Sequence, residues 1–155
     1  MAASGQDWTE TIQLGACPMP TYVVLYHEPG RETSLPRQAD AHFDWLFDHG
    51  SALWSWATDW LPKPGEQATA RATRLPDHRR EYLCYEGPLT RERGMVTRVE
   101  AGEFEIRRAD TDHYEFELRG GRTGMVIIQR MRSGLNDSGE ELWYWSFRPV
   151  RADAN

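Results

Sequence analysis

A small closed or nearly closed β-barrel of about eight strands, all-β with little helix, is the fold this sequence predicts. Seven Trp, six Tyr and five Phe, with Val and Ile gathered in short runs, supply the apolar mass typical of strands. The runs are short, regularly spaced and bounded by turn-forming residues. The chain has 155 residues, the length of one ordinary domain with a proper core.

The elements follow in order. Residues 1–20 are small, polar and Pro-containing and read as a flexible arm, so the single domain spans 21–150. Tyr22 to His27 reads as a strand, Glu28 to Asp40 as a loop with Pro29, Gly30 and Pro36, and Ala41 to Phe47 as the next strand, turning at Asp48-His49-Gly50. Ala52 to Thr58 sets Trp54 and Trp56 on one face, and Pro62-Lys63-Pro64-Gly65 breaks the chain. Ala68 to Leu75 is extended and ends at Pro76, which leaves His78 in or near a loop. Tyr82 to Tyr85, Gly94 to Glu100, Glu103 to Arg108, Tyr114 to Arg119, Gly124 to Met131 and Leu142 to Phe147 complete the strands. Trp143-Tyr144-Trp145 in the last of them reads as core rather than as a base-stacking platform.

Composition narrows the function. A net charge of −6 argues against sequence-independent coating of nucleic acid but leaves room for a focused basic patch. Of the 18 basic residues 17 are Arg, whose planar fork suits bidentate phosphate contact, although a GC-rich genome's codon bias gives the same count. Cys17 and Cys84 make no disulfide framework, and neither a signal peptide nor an apolar span is legible, so a cytoplasmic protein away from membranes is expected. Gly-rich phosphate loops, G-x-S-x-G and C-x-x-C are absent, which speaks against nucleotide cofactors and covalent nucleophilic catalysis.

The chemistry starts at His42-Phe43-Asp44, because alternate residues of a strand point to one face and present an imidazole and a carboxylate to a single ion. His27 and His78 add further imidazoles, and two histidines with one carboxylate make a divalent-metal triad. The same residues also allow a structural reading in which His42 and Asp44 pair with each other or with backbone. His49, in a polar turn, and His113, beside Asp112, read as surface residues.

Taken together, Tyr22-Val23-Val24-Leu25-Tyr26-His27, His42-Phe43-Asp44, Trp54-Ser55-Trp56-Ala57, and Asp77-His78 with Tyr82 and Glu86-Gly87 resemble the 3′-phosphoesterase domain of bacterial DNA ligase D. Tyr114 to Gly120 with Arg122 and Gly124, then Leu142 to Phe147, extend the resemblance over residues 22–149. It implies a stand-alone, metal-dependent hydrolase that trims a 3′-terminal ribonucleoside or 3′-phosphate from nucleic-acid ends in DNA repair. His27, His42 and Asp44 would hold a manganese-type ion, with zinc or another transition metal as the alternative. His78 and Tyr82 would face the scissile phosphate, with Asp77 either orienting His78 or capping turn amides. The implied partners are primer-template DNA or RNA–DNA ends and a separate ligase or polymerase.

The sequence departs from the family at three points. Leu46 and Trp60 stand where the family has an arginine and a lysine, the loop Pro88 to Gly94 is shorter, and the loop between His27 and His42 is longer. Arg71, Arg91 and Arg93 are the replacement phosphate-binding cations, with Arg74 and Lys63 as further candidates. Two other functions stay open: a catalytically silent module binding nucleic-acid ends or protein, and a non-haem iron oxygenase using His42, Asp44 and either His78 or His113.

Overall fold

The computed structural model describes residues 20–30, 40–135 and 141–150. Among these residues nine antiparallel strands make up the sheet: β1 (Tyr22–Pro29), β2 (His42–Asp48), β3 (Leu53–Thr58), β4 (Ala68–His78), β5 (Gly87–Pro88), β6 (Gly94–Asp110), β7 (His113–Gly120), β8 (Gly124–Leu135) and β9 (Glu141–Pro149). Their order is β1-β2-β3-β4-β9-β8-β7-β6-β5, and pairing of β1 with β6 joins eight of them into a ring, with β5 outside it. The expected all-β, nearly closed architecture is the observed one. The expected arm and most of the loop between His27 and His42 lie outside the described residues.

Two strand boundaries differ from expectation, each for a backbone reason. Ala101-Gly102 reads as a break, yet β6 is one 17-residue strand. It pairs with β1 up to Gly102 and with β7 from Gly102 onward. A Cβ at Gly102 would stand 2.2 Å from the Arg119 carbonyl oxygen and 2.8 Å from the Tyr22 ring, so the crowded corner admits only glycine. Pro76 does not end β4 either. The pairing shifts between Leu53 and Ser55, so that Ser55 faces Leu75 and Leu53 faces His78, and this bulge absorbs a residue with no N–H to donate. The segment expected to be a strand at Tyr82 to Tyr85 is a single 3-10 turn, Arg80–Leu83.

Side chains alternate across the sheet. Phe43, Trp45 and Phe47 of β2 point into the ring, where they join Trp54, Trp56, Phe104, Tyr114, Phe116, Trp143, Trp145 and Phe147. Packing is aromatic on aromatic, with Phe47–Phe116 centroids 4.5 Å apart and Trp45–Trp145 centroids 4.9 Å apart. Guanidinium groups lie against these rings in two places. Arg74 sits 4.4 Å from the Trp56 centroid, and Arg122 lies 4.8 Å from the Phe147 centroid and 5.0 Å from that of Trp45. Arg122 is wholly buried and forks onto Glu100 at 2.8 and 3.0 Å, while the Tyr22 hydroxyl donates to Glu100 at 2.8 Å. Burial and the Glu100 carboxylate push the Tyr22 hydroxyl far above its usual range, so it remains a donor.

A second, smaller core lies on the outer face. Val23, Leu25, Leu46, Leu53 and Val96 are roofed by Leu83, with Tyr82 and Leu89 packed against them. The covering segment is held by the Arg98 guanidinium on the Leu83 carbonyl (3.0 Å) and the Leu89 N–H on the Gly94 carbonyl (2.7 Å). Under this roof Ser55 is fully buried and its hydroxyl has no hydrogen-bond partner among the described residues. Ser55→Ala is therefore expected to raise stability by about 1 kcal/mol, read as a higher urea midpoint at unchanged slope.

Candidate metal centre

The triad is a continuation of this outer face. His27 and His42 face each other directly across β1 and β2, and Asp44 lies two residues further along β2, on the same side as Leu46. One donor atom from each residue falls within a group no wider than 4.8 Å. His27 Nδ1 stands 3.3 Å from Asp44 Oδ2, and His42 Nε2 stands 3.1 Å from Asp44 Oδ1.

The outward-facing ring nitrogens decide what these short distances mean. His27 Nε2 donates to the Arg93 carbonyl at 3.1 Å, and His42 Nδ1 donates to the Asp40 carbonyl at 3.0 Å. A carbonyl only accepts, so in each neutral ring the proton is on the outer nitrogen and a lone pair faces Asp44. Asp44 is 3% exposed and His42 is 6% exposed, and among the described residues Asp44 Oδ1 is without a hydrogen-bond partner. Two imidazole lone pairs and a buried carboxylate thus converge with no proton between them, an arrangement that a cation resolves. The donor set of two N and one O suits Mn²⁺, Zn²⁺ or Fe²⁺ better than Ca²⁺ or Mg²⁺, which favour all-oxygen shells.

At acidic pH protons take the cation's place. Burial alone would raise the Asp44 carboxyl, but hydrogen bonds and charge from His27 and His42 outweigh it and lower the group from its usual 3.8 to about 2. A carboxyl more acidic in the folded protein than in the unfolded chain stabilises the fold fully above about pH 4 and loses that contribution as pH falls through 2. The contribution is about 2 kcal/mol. Acid unfolding of Asp44→Asn, followed by tryptophan fluorescence, is expected to lack that loss between pH 4 and 2.

The loop carrying Arg91 and Arg93 is pinned beside His27. Gly94 has φ +113°, and a Cβ there would stand 1.9 Å from the Glu28 carbonyl oxygen. Gly94→Ala is expected to displace the Arg93 carbonyl from His27, costing about 2 kcal/mol of stability and roughly tenfold in metal affinity, measured by urea unfolding and calorimetric titration. Arg91 adopts φ +59° and is exposed, and the Arg93 guanidinium folds back onto Thr90 at 3.0 and 3.1 Å. Arg71 is exposed on the outer face of β4.

The remaining candidates divide. His78 ends β4, is bonded at Nδ1 to the Pro76 carbonyl (3.0 Å), and meets the Tyr82 ring edge-on at 5.7 Å. Tyr82 packs on the cluster containing Leu25 and Leu46, the outer-face neighbours of His27 and Asp44, so the two pairs border one apolar patch. Asp77 does not orient His78. Its Oδ2 is bonded to His49 Nε2 at 3.0 Å, and His49 also stacks on Trp54, so the expected solvated histidine is an anchored one. Arg74 is committed to the aromatic interior, and Leu46 is buried under Leu83, where an arginine would have lost its water. His113 is bonded to Glu115 (2.7 Å) and Gln129 (3.1 Å) on β7 and β8. A surface depression of about 850 Å³ lies by the β7–β8 turn, lined by Gly121, Arg122 and Arg148, rather than over the triad.

The carbonyls of Asp40 and Arg93 were not legible as second-layer groups, since any residue type supplies a carbonyl. Gly94 was the one local signal. No protein-family model matches this chain, and no curated protein matches it. No helix among the described residues is long and apolar enough to cross a membrane.

Proposed function

We propose that this protein is a metal-dependent phosphoesterase that trims 3′-ribonucleoside or 3′-phosphate ends of nucleic acid in DNA repair, as the 3′-phosphoesterase domain of bacterial DNA ligase D does. The observation that carries the reading is the convergence of two imidazole lone pairs and a buried carboxylate on one point, with each histidine fixed from behind by a carbonyl. A manganese-type ion held by His27, His42 and Asp44 would polarise a phosphoryl oxygen and lower the pKa of bound water. Electrostatics support the substrate class. Arg80, Arg107, Arg108, Arg119 and Arg130 are each paired with a carboxylate. Arg71, Arg91 and Arg93 have no such partner among the described residues and are the cations assigned to the phosphate. His78 donates from Nδ1 to the Pro76 carbonyl, so its Nε2, protonated in the imidazolium form, would be the atom that gives a proton to the leaving oxygen, and Tyr82 positions its ring. The protein would work in the cytoplasm beside a separate ligase or polymerase.

The test is cleavage of a labelled primer-template bearing a 3′-phosphate or a single 3′-ribonucleotide, with Mn²⁺ or EDTA. Trimming that requires both metal and His42, and is absent in His42→Ala, is expected. Equal trimming by both proteins would sink the proposal. Leu46 and Trp60 favour a second reading, a module that binds ends without cutting them, which predicts binding with no turnover. A non-haem iron oxygenase built on His42, Asp44 and His78 or His113 predicts Fe²⁺-dependent oxygen uptake with no need of His27, and the geometry speaks against it, because His27 is the histidine that joins His42 and Asp44.

A further inference from the structure

The outer face continues past the triad in register. Phe43 faces Thr58 and Thr58 faces Ala72, so the next position along puts His42 level with Asp59 and Asp59 level with Arg71. Arg71 in turn faces Tyr144 of β9. Arg71 thus has one exposed aromatic directly beside it, Tyr144, 42% exposed, and on its other side Asp59, which Trp60, 48% exposed, follows just beyond β3. The expectation that Trp143-Tyr144-Trp145 is all core holds for the two tryptophans, at 2% and 0% exposure, and fails for Tyr144 between them, because alternation turns it outward.

We propose that the strip Trp60–Arg71–Tyr144 is a binding lane for the single-stranded tail of a nucleic acid whose 3′ end lies at the triad. The inference rests on the phosphoesterase reading for its direction and on its own observations for the lane. Strands about 4.8 Å apart place Arg71 about 10 Å from His42 and Tyr144 about 14 Å from it, so the lane reaches beyond a single terminal nucleotide. Two exposed rings and one guanidinium on neighbouring strands offer a nucleic-acid chain what it needs, surfaces for base stacking and a contact for phosphate. The backbone that carries Trp60 is tied to the core: its carbonyl accepts from the Thr58 hydroxyl at 2.9 Å, and the Thr58 hydroxyl oxygen accepts from Trp45 Nε1 at 3.0 Å. Where the resemblance expects a lysine, an indole exchanges a phosphate contact for stacking. The acidic surface does not oppose the lane. The carboxylates Glu103, Glu105 and Glu117 lie on β6 and β7, and β6 is four strands from β4 in a ring of eight. Asp59 is the carboxylate within the lane, and it separates the triad from Arg71.

The experiment is fluorescence anisotropy with a labelled decathymidylate ending in a 3′-hydroxyl, in EDTA, with Mn²⁺ titrations run in parallel. Tyr144→Ala and Trp60→Ala are each expected to weaken binding about tenfold. Tyr144→Phe is expected to restore it, Arg71→Ala to reduce the salt slope by about one, and Ile106→Ala, on exposed β6, to change nothing. Mn²⁺ affinity should be the same in all of them. Wild type that fails to bind the oligonucleotide, or Tyr144→Ala and Trp60→Ala that bind as wild type does, would overturn the lane. A change of sedimentation coefficient in Tyr144→Ala without a change in anisotropy would also overturn it, assigning the face to self-association. Aromatic-dependent binding in a protein that trims no 3′ end would keep the lane and remove the phosphoesterase reading.

Discussion

Asp44→Asn is expected to lower metal affinity at least 100-fold while leaving the barrel folded. Asparagine keeps the shape of the side chain but removes the one formal negative charge of the donor set, and an amide oxygen is a poor substitute for a carboxylate beside two imidazoles. Its amide N–H can also donate to one of the two lone pairs that face Asp44 at 3.1 and 3.3 Å, so the metal-free variant should lose at neutral pH no more than the ionised carboxylate contributes, about 2 kcal/mol. The readout is a pair of melting curves. Wild type at an Mn²⁺ concentration of about 100 times Kd gains about 2.7 kcal/mol, whereas Asp44→Asn gains little at the same concentration. A variant that gains as much from Mn²⁺ as wild type does would mean that Asp44 is a structural partner of the histidines instead.

Glu100→Ala is expected to destabilise the protein by about 3–5 kcal/mol, because it leaves Arg122 charged and fully buried with its main partner gone. The other acceptors of Arg122 are weaker: the Pro62 carbonyl at 2.7 Å and the faces of Trp45 and Phe147. Tyr22 would also lose the carboxylate that its hydroxyl donates to. The double replacement Glu100→Leu with Arg122→Met removes both charges and should recover most of the loss, since an apolar pair of similar volume is often as stable as a buried ion pair. Urea midpoints of wild type, the single and the double variant decide this. A double variant as unstable as the single one would show that the geometry of the fork, not the orphaned charge, holds this end of the barrel.

Much of the barrel was legible because its strands obey a period of two. Phe43, Trp45 and Phe47 alternate with His42, Asp44 and Leu46, which separates interior from exterior without any coordinates. What local pattern could not supply was the pairing. The same alternation left Trp143-Tyr144-Trp145 readable as one core block, though Tyr144 faces out. Gly102 and Pro76 read as breaks because turns are their commonest use, yet a close approach at Gly102 and a bulge at Pro76 keep both strands continuous. The triad was half legible. His42-x-Asp44 is a strand-period motif, but His27 lies 15 residues upstream, and only the direct pairing of β1 with β2 brings it opposite His42. Asp77 shows the opposite limit: it neighbours His78 in sequence, but its carboxylate is bonded to His49, 28 residues away.

The most direct test of the metal centre is calorimetric titration of the metal-stripped protein with Mn²⁺, wild type beside His27→Ala. His27 separates this site from any triad that uses His42 and Asp44 with His78 or His113. One ion per chain in the wild type, and none detectable in His27→Ala, is the predicted result. No binding by the wild type, or binding that survives the loss of His27, would contradict it.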